Sequence, residues 1–220
     1  MSGSPYDLRF KSPANIFISG PSSSGKTFFL TKFLSYADSL LTKKLKFVLI
    51  YYQEWQEAYD KIKKLVDNVK FVKGAPASLE HVIDELRQYN KDDLKMCIFD
   101  DMLTNMTSFM DSLFTTISHH YTCSMIFISQ SIFGKSLRTV SINSHYMIVF
   151  KSPRDSLQFS TLAHQVEPNN SSFLKSVFLN ATERAHGYLI LNFTQEQHKN
   201  CRYLTNLFPD EWPVKIYTTK

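Results

Sequence analysis

The stretch Asn15-Ile16-Phe17-Ile18-Ser19, running into Gly20-Pro21-Ser22-Ser23-Ser24-Gly25-Lys26-Thr27, decides how this chain is read. A short, mostly apolar run predicts a buried strand. The next eight residues match G-x-x-x-x-G-K-S/T at every fixed position, and helical spacing of apolar residues over 26–41 predicts a helix directly behind them. Strand, loop and helix in that order form a phosphate cradle: successive backbone N–H groups and the positive end of the helix dipole attract phosphate oxygens. Gly20 and Gly25 permit backbone conformations and close approaches that a side chain would obstruct. Lys26 has the reach and charge for β- and γ-phosphates, and the Thr27 hydroxyl is placed to hold Mg²⁺. ATP and Mg²⁺ are the expected ligands.

Further along, the apolar run 96–99 ends in Asp100 and Asp101. A carboxylate at the C-terminal tip of a buried strand falls beside the metal of such a loop, so Asp100 is expected to coordinate Mg²⁺, directly or through water. Asp101 is then placed to orient or deprotonate the attacking water. Another buried strand, 124–129, ends in Gln130, either a sensor of the γ-phosphate that positions the lytic water or simply a polar residue leaving a strand.

Strands are also predicted at 46–52, 69–72 and 146–150, with two more at 187–192 and 201–207. Helices are predicted at 55–66, 79–89, 108–119, 154–165 and 171–182. In Ser152-Pro153-Arg154-Asp155, Ser caps the helix, Pro takes its first position and Asp closes a capping box. Nearly continuous apolar strands alternating with helices predict an α/β fold with a mostly parallel, helix-flanked sheet. The strand count favours a P-loop NTPase of the additional-strand (RecA-like) class, in which one strand separates the P-loop strand from the metal-Asp strand. A C-terminal hairpin would extend one edge. The domain is expected to span 14–208, with an N-terminal extension, 1–13, and a C-terminal tail, 209–220.

Composition sets the limits around this core. The 220 residues are 43% hydrophobic and include 18 Phe and 11 Tyr, which excludes a disordered chain, collagen or a disulfide scaffold. Cys97, Cys123 and Cys201 are odd in number and widely spaced, as reduced intracellular thiols are. No apolar stretch approaches the roughly 20 residues that span a bilayer, and residues 1–13 lack the apolar core of a signal peptide, so no membrane partner is expected. Positive charge gathers in the first third, with 12 Lys and Arg against 6 Asp and Glu in residues 1–75, and 13 against 14 thereafter. Lys43, Lys44, Lys46, Lys61, Lys63, Lys64, Lys70 and Lys73 form either a DNA-facing group or a solvated face. Trp55 and Tyr59 read as a half-buried helix face or as a stacking surface for a base.

The P-loop, Asp100-Asp101, the strand ending at Gln130 and Phe150-Lys151-Ser152-Pro153-Arg154-Asp155 together resemble viral genome-packaging ATPases of the FtsK–HerA superfamily, especially those of poxvirus-related viruses, virophages and Polinton/adintovirus elements. The resemblance runs from about residue 14 to 208. It implies a homo-oligomeric ring that hydrolyses ATP to drive double-stranded DNA into a capsid, with capsid or portal proteins as partners. It places the protein in the infected host cell, at a viral factory in cytoplasm or nucleus, or with the virion. It also implies an arginine finger supplied by the neighbouring subunit. Of the six arginines, Arg138, in a loop after the Gln130 strand, and Arg154, at the start of a helix, are the candidates; Asp155 reads as a helix cap. Asp101 stands where cellular DNA pumps carry Glu. The alternatives are a P-loop nucleotide kinase, a replication-associated helicase or helicase loader, and a non-catalytic nucleotide-binding protein.

Overall fold

The computed structural model of the chain describes residues 6–102, 112–113, 117–134, 137–196 and 198–219, and the side chain of His119 is not described. The helix expected over 108–119 lies mostly outside these residues. Nine strands form one sheet: β1 (Asn15–Ser19), β2 (Leu45–Tyr52), β3 (Val69–Lys73), β4 (Leu94–Asp100), β5 (Cys123–Ser129), β6 (Tyr146–Phe150), β7 (Tyr188–Asn192), β8 (Tyr203–Thr205) and β9 (Lys215–Tyr217). Their order is β3-β2-β4-β5-β1-β6-β7-β8-β9. All pairings from β3 to β6 are parallel, and β7, β8 and β9 add antiparallel strands.

The helices are α1 (Lys26–Ser35), α2 (Ala37–Leu40), α3 (Glu57–Leu65), α4 (Leu79–Arg87), the single turn α5 (Ser118–His120), α6 (Leu137–Asn143), α7 (Ser156–Val166) and α8 (Ser171–Ala181). Strand alternation divides the core between the two faces of the sheet. Ile16, Ile18, Val48 and Ile50 pack with Phe29, Leu30 and Tyr59 of α1 and α3. Phe17, Leu49 and Phe99 pack on the opposite face with residues of α4, α6, α7 and α8, among them Leu86, Val140, Phe159 and Phe178. All three cysteines are buried and free of disulfides. Among the described residues no helix is long and apolar enough to cross a membrane.

Three local expectations are corrected. The helix predicted over 26–41 breaks at Tyr36 (φ −105°, ψ 15°), where the Ser35 hydroxyl donates to Lys32 O. Such local side-chain bonds compete with helix continuation. The break carries Leu40 to Phe10, whose N–H donates to Leu40 O at 2.7 Å. The helix expected from Arg154 begins instead at Ser156, because Asp155 is the N-cap and accepts from Gln158 N–H at 3.3 Å. The Gln158 side-chain amide also donates to the Asp155 carboxylate, so the cap lies three residues later than the one expected on Ser152. Asp155 is a cap, as expected, but Arg154 lies in the turn before the helix. The third concerns 137–143, expected as loop, which forms α6.

Residues on both sides of 14–208 join the same body. Leu8 and Phe10 are buried in the α1 face of the core, and β9 pairs with β8. Phe29 ties these parts together, with its ring centroid 4.8 Å from Tyr188, 5.1 Å from Phe208 and 6.1 Å from both Phe33 and Phe150. Phe29→Ala is therefore expected to lower the unfolding free energy by about 3–5 kcal/mol, measured by urea denaturation. A loss under about 1 kcal/mol would contradict this role for the α1 aromatic cluster.

Candidate active site

The parallel register brings three strand tips together. Ser19 at the end of β1 aligns with Ser129 of β5 and Val149 of β6, while Asp100 of β4 aligns with Ile128 of β5. The loop Gly20–Thr27, the Asp100-Asp101 pair and Gln130 therefore leave the sheet at the same edge, with β5 between the P-loop strand and the acidic strand. Gly20 N–H donates to Ser129 O at 3.2 Å, closing the start of the loop on β5.

The loop is tightly built. A Cβ on Gly20 would lie 2.6 Å from Phe150 Cβ and 2.8 Å from Ser24 Oγ, too close for any side chain. Gly25 has φ +108° and caps α1, where a Cβ would press on His186 at 3.0 Å. No side chain caps α1, so its first-turn N–H groups, which lack intrahelical partners, face the loop. Lys26 Nζ donates to Gly20 O at 2.6 Å and Pro21 O at 2.9 Å. Burial lowers the Lys26 pKa, and the charges of Asp100 and Asp101 oppose that shift. Ser22 and Ser23 are exposed, whereas Ser24 Oγ is enclosed with no hydrogen-bond partner among the described residues.

The acids occupy different environments. Asp100 is only 5% exposed; burial raises its pKa, chiefly opposed by a hydrogen bond from Tyr59. Tyr59 OH donates to Asp100 Oδ2 at 2.5 Å. Asp101 adopts the left-handed region at φ 58°, which turns its side chain out to the surface, where it accepts from Gln130 Nε2 at 2.8 Å. That hydrogen bond joins Asp101, expected to act on the attacking water, to Gln130 at the tip of β5. The Thr27 hydroxyl donates to Gln56 Oε1 at 2.9 Å, and Gln56 Nε2 lies 3.5 Å from Asp100 Oδ2. Thr27 and Asp100 thus share one oxygen-rich network, the hard donor set that Mg²⁺ takes. These residues fit that ion.

Arg138 and Arg154 are exposed and are not bonded to the phosphate loop, Asp100, Asp101 or Gln130. Each of the other four arginines makes an ion pair: Arg9 with Asp7, Arg87 with Glu80 and Asp84, Arg184 with Glu211, and Arg202 with Glu167. Among the described residues, Arg138 and Arg154 are the two arginines without one.

Four contributors were not legible as such. Gln56 enters from the loop after β2. Tyr59 read as a stacking or core residue, yet it is a buried donor to Asp100. His186 sets Nδ1 3.2 Å from Ser24 O and walls the loop from the segment before β7. Gln158 Oε1 accepts from Ser131 Oγ at 2.9 Å and Ile132 N–H at 2.7 Å, holding the segment after Gln130 against α7. A cleft of about 370 Å³ lined by Gly20, Gln130, Phe150, Asp155, Gln158 and Phe178 opens between them. The available signal for Gln56 was its place just after β2, which aligns Tyr52 with Asp100.

This strand order and loop define a P-loop NTPase fold of the additional-strand class. Two structures of the genome packaging NTPase from Sulfolobus turreted icosahedral virus 2 share the fold. The complex with ATP-gammaS has a TM-score of 0.56 at 12% identity, over 94% of this chain and 97% of that one. The AMPPCP complex has a TM-score of 0.58 at 12% identity, over 93% and 96%. The cytoplasmic domain of the Type VII secretion ATPase EccC from Thermomonospora curvata gives a TM-score of 0.54 at 14% identity, over 84% of this chain and 25% of that one. No protein-family model matches the chain, and no curated protein sequence does. At such identities the likeness is one of fold, and it is the fold expected from the resemblance to FtsK–HerA packaging ATPases.

Tyr59→Phe keeps the ring in the core and removes the donor to Asp100. Hydrogen bonds to charged groups contribute about 1.5–3 kcal/mol. A loss of that size in urea unfolding is expected, and unchanged stability would mean that Tyr59 does not support the carboxylate.

Proposed function

We propose that this protein is a Mg²⁺-dependent ATPase of the FtsK–HerA type, and that its hydrolysis drives double-stranded DNA into a viral capsid from a homo-oligomeric ring. The carrying observation is the fold shared nearly end to end with a viral genome packaging NTPase, over 94% of this chain and 97% of that one. The position of β5 between β1 and β4 speaks against the nucleotide-kinase arrangement.

In this reading the loop N–H groups and Lys26 bind and orient the β- and γ-phosphates, for which Lys26 releases the carbonyls of Gly20 and Pro21. Thr27 and Asp100 hold Mg²⁺, which supplies charge neutralisation at the phosphates. Asp101, aimed by Gln130, takes the proton of the attacking water. A trans arginine stabilises charge on the transferring phosphoryl group, an effect of about 10³–10⁵ in rate. Arg138 is the preferred finger and Arg154 the second choice; their lack of ion pairs among the described residues supports both.

The lysine group suits a non-specific grip on DNA phosphates. Lys70 pairs with Glu85 and Lys73 with Glu54. Lys43, Lys44, Lys46, Lys61, Lys63 and Lys64 are exposed around β2, α3 and the edge strand β3, without ion pairs among the described residues. Such contacts give affinity without sequence preference. Capsid or portal proteins and a place in the infected cell belong to the same proposal.

Lys26→Ala is expected to abolish nucleotide binding or turnover. Asp101→Asn should bind ATP and fail to hydrolyse it; full activity there would remove Asp101 as the base. Mixing Arg138→Ala with Asp101→Asn subunits should restore part of the turnover, because some interfaces then join an intact base to an intact finger. Full turnover by Arg138→Ala alone would transfer the role to Arg154.

A further inference from the structure

Gln56 stands immediately before α3 with extended backbone (φ −121°, ψ 145°), the position from which a polar side chain commonly caps a helix. It makes no such cap. Its amide turns instead towards the phosphate loop, with Oε1 accepting from Thr27 Oγ1 at 2.9 Å and Nε2 lying 3.4 Å from Tyr59 OH and 3.5 Å from Asp100 Oδ2.

We infer that Gln56 is a positioning residue for the metal site, presetting both Thr27 and Asp100 as oxygen ligands. This rests on reading those two residues as the Mg²⁺ ligands. A threonine hydroxyl has one proton and two lone pairs. With the proton committed to Gln56 Oε1, the lone pairs are directed elsewhere and remain available to a cation. The Gln56 and Tyr59 donors are both on the Oδ2 side of Asp100, and Oδ1 takes no hydrogen bond from a described residue. An amide carries the required acceptor and donor in one planar group; a carboxylate would lack the donor and repel Asp100, and a hydrocarbon would lack both. Partners of this outer kind change metal affinity by about 10–100-fold in other sites.

Gln56 is exposed and makes no helix cap, so its replacement leaves a folded protein to test. Gln56→Met keeps the length and removes both polar atoms. The affinity of ATP-gammaS is measured in EDTA and again across a magnesium titration, with manganese binding followed by electron paramagnetic resonance and stability by urea unfolding. The metal affinity of the Gln56→Met nucleotide complex should fall about 10–100-fold, while its EDTA affinity matches wild type and urea unfolding shows a cooperatively folded protein. In a Thr27→Ala background the same change should cost less metal affinity than it does alone, because only its contact with Asp100 is left to lose. Wild-type metal affinity in Gln56→Met, or an equal loss of metal-free nucleotide binding, would overturn the role of Gln56 alone. A wild-type nucleotide complex that takes up no metal would overturn the metal-site reading with it.

Discussion

A carboxylate in the interior costs free energy unless polar partners meet it. Asp100 sits at the buried tip of β4, and the site is arranged around it. Tyr59 reaches it from α3, Gln56 from the turn before that helix, and Lys26 acts on it through its charge from the phosphate loop. Asp101, one residue on, leaves the strand through a left-handed conformation and meets Gln130 at the surface. Neighbouring acids thereby receive different tasks, the buried one suited to holding a cation and the outer one to handling water. Both depend on β5, whose insertion between β1 and β4 sets the separation of the loop from the acids.

The phosphate loop, Asp100-Asp101 and Gln130 were legible because each is a local pattern at the end of an apolar strand. Six strands in the parallel part and the β7–β8 hairpin followed from the same apolar patterning, whereas β9 lies in the stretch expected as a tail. What sequence spacing does not carry is lateral register. Tyr59 looks like core aromatic material in its own helix and becomes a partner of Asp100 only because β2 lies beside β4. His186 is distant in sequence from Ser24 and reaches it through the placement of β7 beyond β6. The helix near Arg154 was displaced because two overlapping capping patterns compete there, and the one based on Asp155 and Gln158 prevails.

Compactness shapes the proposed mechanism. The sheet and its covering helices take up nearly the whole chain, down to Phe10 at one end and β9 at the other. In the proposed ring, several such subunits would form the DNA channel jointly. The proposed ring would give a use to two exposed arginines free of ion pairs among the described residues, since an arginine used on a neighbour's phosphates must stay uncommitted at home. The excess positive charge lies about β2, α3 and β3, the sheet end remote from the antiparallel strands. Lysines there also discourage edge-to-edge pairing of β3, so a DNA grip and protection of the edge are compatible uses of the same side chains.

The most direct measurement is ATP turnover by the purified protein with and without duplex DNA, with oligomeric state determined by light scattering on the same samples. The account predicts magnesium-dependent turnover that duplex DNA stimulates, in an assembled ring, with the stimulation falling as salt rises. Absence of turnover with DNA present, in every oligomeric state obtained, would contradict it.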